Sequence, residues 1–220
     1  ASSGFDVLSH GLESYTALPF NERESPDSPL FRPAYQGSNP ISDIWSTNAI
    51  EMVARSLIPA VKDPDDYAAR SELLLAATFA GVGFGNAGCH IPHGMSYPVS
   101  GMIKDFKLKG YPGDGPLCPH GISVVLNAPA VFRFTAPANP ERHIRAAELM
   151  GAKEADVSFD DAGELLADTI ITLIRALDMP NGLNEIGYTN DDIDGLVTGA
   201  LPQKRVLGLS PRPVGRHELK

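Results

Sequence analysis

Cysteine is scarce: the chain has two, Cys89 and Cys118. Two cysteines cannot build the disulfide framework of a small secreted protein, so a reducing, intracellular compartment is the expectation. Positive charge is also short. Lys and Arg number 18 against 27 Asp and Glu, for a net charge of −9. That balance argues against a nucleic-acid-binding surface and gives no support for attraction to an anionic membrane. Strand signals are few, and there are no repeats or low-complexity tracts. No Gly-rich phosphate-binding turn follows a strand-like run. The first residues, Ala1-Ser-Ser-Gly-Phe-Asp6, lack the basic and apolar regions of a secretory leader, so none is expected. The missing initiator Met and the helix-like ending at His217-Glu-Leu-Lys220 lead us to expect a piece of a longer protein.

What is present suffices for a core. Hydrophobic residues make up 43% of 220 residues, enough for one bundle-like domain. Charge is absent altogether from Leu73 to Ile103. Such a stretch is either a membrane span or the centre of a folded core. Gly81, Gly83, Gly85, Gly88 and Gly94, with Pro92, Asn86, His90 and His93, favour the core, because polar groups at that depth are costly unless something holds them.

Helical spacing dominates the rest. Residues 3–18 read as a helix capped by Ser3, with Phe5, Leu8, Leu12 and Tyr15 on one face. Residues 19–40 are a proline-punctuated loop. Ser42 or Asp43 is expected to cap a helix running to about Val61. Asp63-Pro64 is expected to start another, which reaches about Asn86 and packs tightly through small residues in the middle of the bundle. Residues 99–118 read as an exposed loop, and Pro119-His120-Gly121 opens an apolar helix through Phe132. A helix start disfavours a positive charge, so His120 is expected neutral, the form a metal needs. Further helices are expected from Pro140, from Ser158 and near residues 190–200 and 202–208, with a capping-box pattern at Thr189–Asp192. The fold class is therefore all-α.

Four residues could share an ion. Asp6 and His10 are four apart, which puts their Cβ atoms roughly 5–6 Å apart on one helix face. His93 and His120 sit in Gly- and Pro-flanked apolar surroundings. Three imidazoles and a carboxylate suit Fe²⁺ or Zn²⁺. Each also has a bland account: an i,i+4 Asp–His hydrogen bond, or hydrogen-bonded core histidines. His143 and His217 lie among charged residues and are expected at the surface. The absence of a Glu-x-x-His pair argues against a di-iron bundle.

The surrounding phrases settle on a family. Gly4-Phe-Asp-Val-Leu-Ser-His-Gly-Leu-Glu13, Ala80-Gly-Val-Gly-Phe-Gly-Asn-Ala-Gly88, His93-Gly-Met95 and Pro119-His-Gly121 resemble the signatures of the iron-containing alcohol dehydrogenases, whose fold is dehydroquinate synthase-like. Arg32-Pro-Ala-Tyr-Gln-Gly-Ser-Asn-Pro-Ile-Ser-Asp-Ile-Trp45 and His93-Gly-Met-Ser-Tyr-Pro98 are similar to the branch that moves hydride between a hydroxy acid and an oxo acid. The resemblance implies that residues 1–220 are the metal-binding helical catalytic domain, with the nucleotide-binding α/β domain outside this chain. It implies Asp6, His10, His93 and His120 as ligands of Fe²⁺ (or Zn²⁺), Phe84 at the substrate pocket, and NAD(H) in the full-length protein. Residues that bind the nucleotide are not identified.

This chain departs from the family in two places. Tyr97 stands where many members have a second histidine, so its part in proton relay is the open catalytic assignment. The segment between His93 and His120 is long and carries Lys104, Lys107 and Lys109. Lys104 could hold a substrate carboxylate, though a solvated lysine loop explains it as well. By resemblance the donor is 4-hydroxybutyrate or a similar hydroxy acid, the acceptor is 2-oxoglutarate, and the full-length protein is a homodimer or higher oligomer. The rivals are an NAD-dependent alcohol dehydrogenase that releases its cofactor and a non-catalytic helical interaction domain. A dehydroquinate-synthase-like lyase would be expected to lead its ligand set with Glu rather than Asp6. The expected compartment is the cytoplasm, with the mitochondrial matrix as the alternative.

Overall fold

A computed structural model describes residues 1–153 and 156–220. Helix α1 (Ser2–Thr16) is its axis. Phe5, Leu8, Leu12 and Tyr15 are buried at the expected spacing, and so are Ser9, Glu13, Ser14 and Thr16. A helix buried all round has neighbours on every side. Here they are α2 (Pro40–Lys62), α3 (Tyr67–Ala87), α5 (His120–Val125) and α7 (Pro140–Leu149). α2 and α3 form a long hairpin. α4 (Ile91–Gly101) packs on α5 and on α9 (Ile193–Ala200), and α6 (Ala128–Thr135) packs on α8 (Ala162–Ala176). α10 (Lys204–Leu207) closes against α4. The described residues contain no strand, only isolated bridges at Pro19–Ser38 and Lys107–Leu117, so the all-α expectation holds.

Helix boundaries follow hydrogen-bond chemistry more finely than the sequence pattern suggests. Ser3 falls inside the first turn of α1, and that start has no side-chain cap. α2 starts at Pro40, because Asn39 Oδ1 accepts from the N–H groups of Ile41 and Ser42, ahead of the expected Ser42 or Asp43. α3 is capped by Asp66, which accepts from Ala69 N–H. Asp63 and Pro64 form the preceding turn instead. The apolar run after His120 breaks into α5 and α6, because Pro129 has no N–H to return to Val125 and its ring crowds that carbonyl. The capping box at Thr189–Asp192 is present, leading a short 3-10 turn into α9.

Three environments differ from expectation. α3 lies at the edge of the bundle: Ala76, Ala80, Gly83 and Ala87 pack inward, while Leu74, Leu75 and Val82 are exposed. The region 99–118 is only partly an exposed loop. α4 runs to Gly101, and Val99, Leu108 and Cys118 are buried. His143 is fully buried rather than at the surface, with its Nε2 2.9 Å from Thr135 Oγ1 and its Nδ1 2.8 Å from Asn139 O. Charged neighbours on the outer face of α7 hid an inward-facing position. His217 is exposed, as expected. No single helix among the described residues is long and apolar enough to cross a membrane.

His90 is likewise enclosed. Thr16 donates its one hydroxyl proton to Leu12 O at 2.7 Å, so His90 Nε2, at 3.0 Å from the same oxygen, carries the proton between them. Burial pushes both His90 and His143 down to about 4. The unfolded chain takes up their protons near the ordinary value of about 6.5 and the folded chain does not. Their stabilising contribution is therefore complete above about pH 6.5 and lost as pH falls toward 4. Chemical denaturation at pH 5 and pH 7 should show lower stability at pH 5, where these two histidines take up about one proton each on unfolding. Equal stability at both values would contradict this reading.

Candidate metal centre

Three helices carry the four predicted ligands. Asp6 and His10 stand one turn apart on α1, His93 is in the first turn of α4, and His120 is the first residue of α5. Two glycines allow the convergence. Gly88 turns the chain at φ +92°, and a Cβ there would meet Leu209 at 2.3 Å. This turn sets α4 at 108° to α3. At Gly121 a Cβ would lie 2.0 Å from the carbonyl oxygen of Ser2. Only glycine lets α5 lie so close to the start of α1, which brings His120 beside Asp6.

Asp6 Oδ1 is 3.6 Å from His93 Nε2 and 3.6 Å from His120 Nε2. These distances are too long for hydrogen bonds. Asp6 Oδ1 and His93 Nε2 are both buried with no hydrogen-bond partner. Orphaned buried atoms of this kind are rare and call for an explanation. Tetrahedral ligands held about 2.1 Å from one ion lie about 3.4 Å apart, close to the spacing seen, so the residues fit a metal. His10 is stacked between Phe84, at 4.0 Å between ring centroids, and His93, at 4.6 Å. The donor atoms form two sets, each within 4.8 Å: Asp6, His93 and His120, and also His10, Cys89 and His93. His93 belongs to both.

Glu13 organises the cluster. Its side chain is completely buried one helical turn beyond His10. One carboxylate oxygen accepts from the backbone N–H of His90 at 2.8 Å and of His93 at 3.4 Å, and the other lies 2.6 Å from His93 Nδ1. Glu13 therefore caps the start of α4 and holds the proton of His93 on Nδ1, leaving Nε2 free to ligate. Sequence reasoning quoted Glu13 within a motif but gave it no role. The available signal was its place in the series Asp6, His10, Glu13 along one face of an otherwise apolar helix.

The electrostatics suit a cation. Burial opposes charge on Asp6, but the surrounding histidines outweigh it and its pKa is lowered. Burial likewise opposes charge on Glu13, and His93 reverses the effect. Burial and the neighbouring His93 push His10 down to about 4, so it is neutral at pH 7. Burial disfavours a charged His93, yet Glu13 and Asp6 raise its pKa well above the ordinary value. Burial also lifts the Cys89 thiol to about 11. Without a metal, then, a proton on His93 offsets one of the two carboxylate charges.

The remaining predicted residues are placed as follows. Phe84, in the last turn of α3, forms an apolar wall on His10. Tyr97 lies one turn after His93, its ring centroid 6.3 Å from that of His120, and is 41% exposed. His120 is half-exposed, so the cluster opens to solvent on the Tyr97–His120 side. Lys104 is drawn elsewhere: its Nζ is 2.7 Å from Asp192.

The fold is an all-α helical domain, and its buried Asp–His cluster carries donors that could hold a metal ion. Residues 34–220 match the Fe-containing alcohol dehydrogenase family, C-terminal. All 220 residues are 56% identical to hydroxyacid-oxoacid transhydrogenase, mitochondrial, of Bos taurus and 54% identical to that of Homo sapiens, covering 47% of each. The chain thus spans about half the length of the curated relatives it matches. Among solved structures, 1,3-propanediol oxidoreductase is 26% identical with a TM-score of 0.80, covering 100% of this chain and 49% of that one. Sulfoacetaldehyde reductase from Bifidobacterium kashiwanohense, in complex with NAD⁺, shares the fold at a TM-score of 0.71 and 23% identity, covering 99% of this chain and 47% of that one. The chain belongs to the iron-containing alcohol dehydrogenase family.

Two predictions follow from this geometry. Metal binding at His93 Nε2 displaces the proton held there, so calorimetry in buffers of different protonation enthalpy should report release of about one proton per ion at pH 7, with weaker binding at lower pH. Binding without proton release would contradict the assignment. Glu13→Gln must turn its NH₂ either toward the N–H groups of His90 and His93 or toward His93 Nδ1–H, and metal affinity should fall about 10- to 100-fold. Unchanged affinity in a folded variant would remove Glu13 from the site.

Proposed function

We propose that this chain is the metal-binding catalytic half of a hydroxyacid-oxoacid transhydrogenase, taking hydride from 4-hydroxybutyrate or a similar hydroxy acid and delivering it to 2-oxoglutarate. The carrying observation is the orphaned pair Asp6 Oδ1 and His93 Nε2, 3.6 Å apart beside His10 and His120. Identity of 54–56% over the whole chain to relatives of that name supports the substrate class. The nucleotide-binding half belongs, on this reading, to the rest of a longer protein that assembles as a homodimer or higher oligomer.

Asp6, His10, His93 and His120 would hold the ion, Fe²⁺ or Zn²⁺ by donor chemistry. When bound, the ion supplies Lewis acidity at the substrate oxygen and NAD(H) carries the hydride. Glu13 keeps His93 in the ligating tautomer and fixes its ring. Phe84 excludes water from one wall. On this reading the substrate enters at the Tyr97–His120 side, and Tyr97 exchanges a proton with the substrate hydroxyl; the half-exposed rings of Tyr97 and His120, 6.3 Å apart, support it. Lys104 enters this reading only as the partner of Asp192. The relatives' names support the mitochondrial compartment over the cytoplasmic expectation.

The test uses the full-length protein loaded with Fe²⁺, 4-hydroxybutyrate and 2-oxoglutarate, with no added nucleotide. The expected result is equimolar succinic semialdehyde and 2-hydroxyglutarate, lost in His93→Ala. A strict requirement for added NAD, with no need for an oxo acid, would establish the cofactor-releasing dehydrogenase instead. Tyr97→Phe should lower kcat while leaving metal content unchanged.

A further inference from the structure

The centre contains a donor that the Asp–His set leaves unused. Cys89 follows Gly88 in the turn between α3 and α4 and is 4% exposed. Its sulfur lies within 4.8 Å of a ligand nitrogen from each of His10 and His93, and those two nitrogens are as close to one another. His93, common to this set and to the Asp6 set, is 5% exposed, and its Nε2 has no hydrogen-bond partner. His10 cannot easily swing away, because its ring is stacked between Phe84 and His93. Cys118 makes a useful contrast. It is also buried, but its sulfur contacts the backbone oxygen of Pro119 at 3.9 Å and belongs to neither donor set.

We infer that Cys89 is a metal donor, and that the centre takes a soft divalent ion of the Cd²⁺ class through Cys89 Sγ, His10 and His93. This rests on reading the cluster as a metal centre and adds a thiolate arm to it. Soft ions favour sulfur, whereas a carboxylate with imidazoles suits Fe²⁺. The two sets share His93, so an ion in one excludes an independent ion from the other. The arms then let the donor set differ with the ion bound. As the metal–sulfur bond forms, the S–H bond breaks and its proton passes to solvent, with no change of oxidation state.

The test is an anaerobic titration of the chain with Cd²⁺, followed by the near-ultraviolet sulfur-to-metal charge-transfer band and by equilibrium dialysis. The parent and Cys118→Ser should develop the band and saturate together. Cys89→Ser should lose the band while still binding Cd²⁺ through its histidines and Asp6. The chain has only two cysteines, so persistence of the band in Cys118→Ser assigns it to Cys89 even where Cys89→Ser fails to fold. Cd²⁺ bound by the parent without a sulfur band, or a band lost in Cys118→Ser, overturns the thiolate donor and leaves the Asp–His centre standing. No Cd²⁺ bound by the parent overturns both.

Discussion

A carboxylate removed from water costs several kcal/mol unless its charge is met by donors and a counter-charge. Glu13 is such a group, and the rest of the structure depends on how it is met. Its partners are the N–H groups of His90, just before α4, and of His93, in its first turn, and the imidazole of His93. Hydrogen bonds to a charged group contribute about 1.5–3 kcal/mol each, enough together to hold the ion in place. The same bonds fix where α4 begins, which nitrogen of His93 is free, and how α4 sits on α1. Helix packing and metal chemistry are therefore one constraint. Moving α4 would strand Glu13, and losing Glu13 would leave His93 without an orientation.

Much of the fold was legible because one physical rule governs it. The three- and four-residue spacing of Phe5, Leu8, Leu12 and Tyr15 requires a helix with a buried face, and α1 is that helix. The charge-free stretch marked the centre only around His93; its first half, in α3, lies at the edge of the bundle with Leu74, Leu75 and Val82 exposed. Boundaries were less legible, since several polar residues compete for each cap and the sequence does not say which one wins. Asn39 and Asp66 prevail through local side-chain hydrogen bonds. His143 was misplaced because flanking charges describe only the outward face of α7.

The site was legible in part for a different reason. Asp6 and His10 are joined by helix geometry, but nothing in spacing alone connects them to His93 and His120. That link came from motif resemblance, and the convergence at Gly88 and Gly121 supplies its physical cause. Glu13 escaped notice because a lone acid in a helix ordinarily faces solvent. Cys89 escaped because a single cysteine in an apolar run reads as core. Both acquire meaning only from long-range packing, which places them against residues some eighty positions away or fewer.

The central claim is that the Asp–His cluster is a metal centre built around His93. Its most direct test is metal content per chain after anaerobic reconstitution with Fe²⁺, and separately Zn²⁺, beside a His93→Ala variant whose helicity is checked in parallel. Because both donor sets share His93, the account predicts about one ion per parent chain and none in the folded variant. Equal metal content in the two, or a parent that binds neither ion, would contradict it.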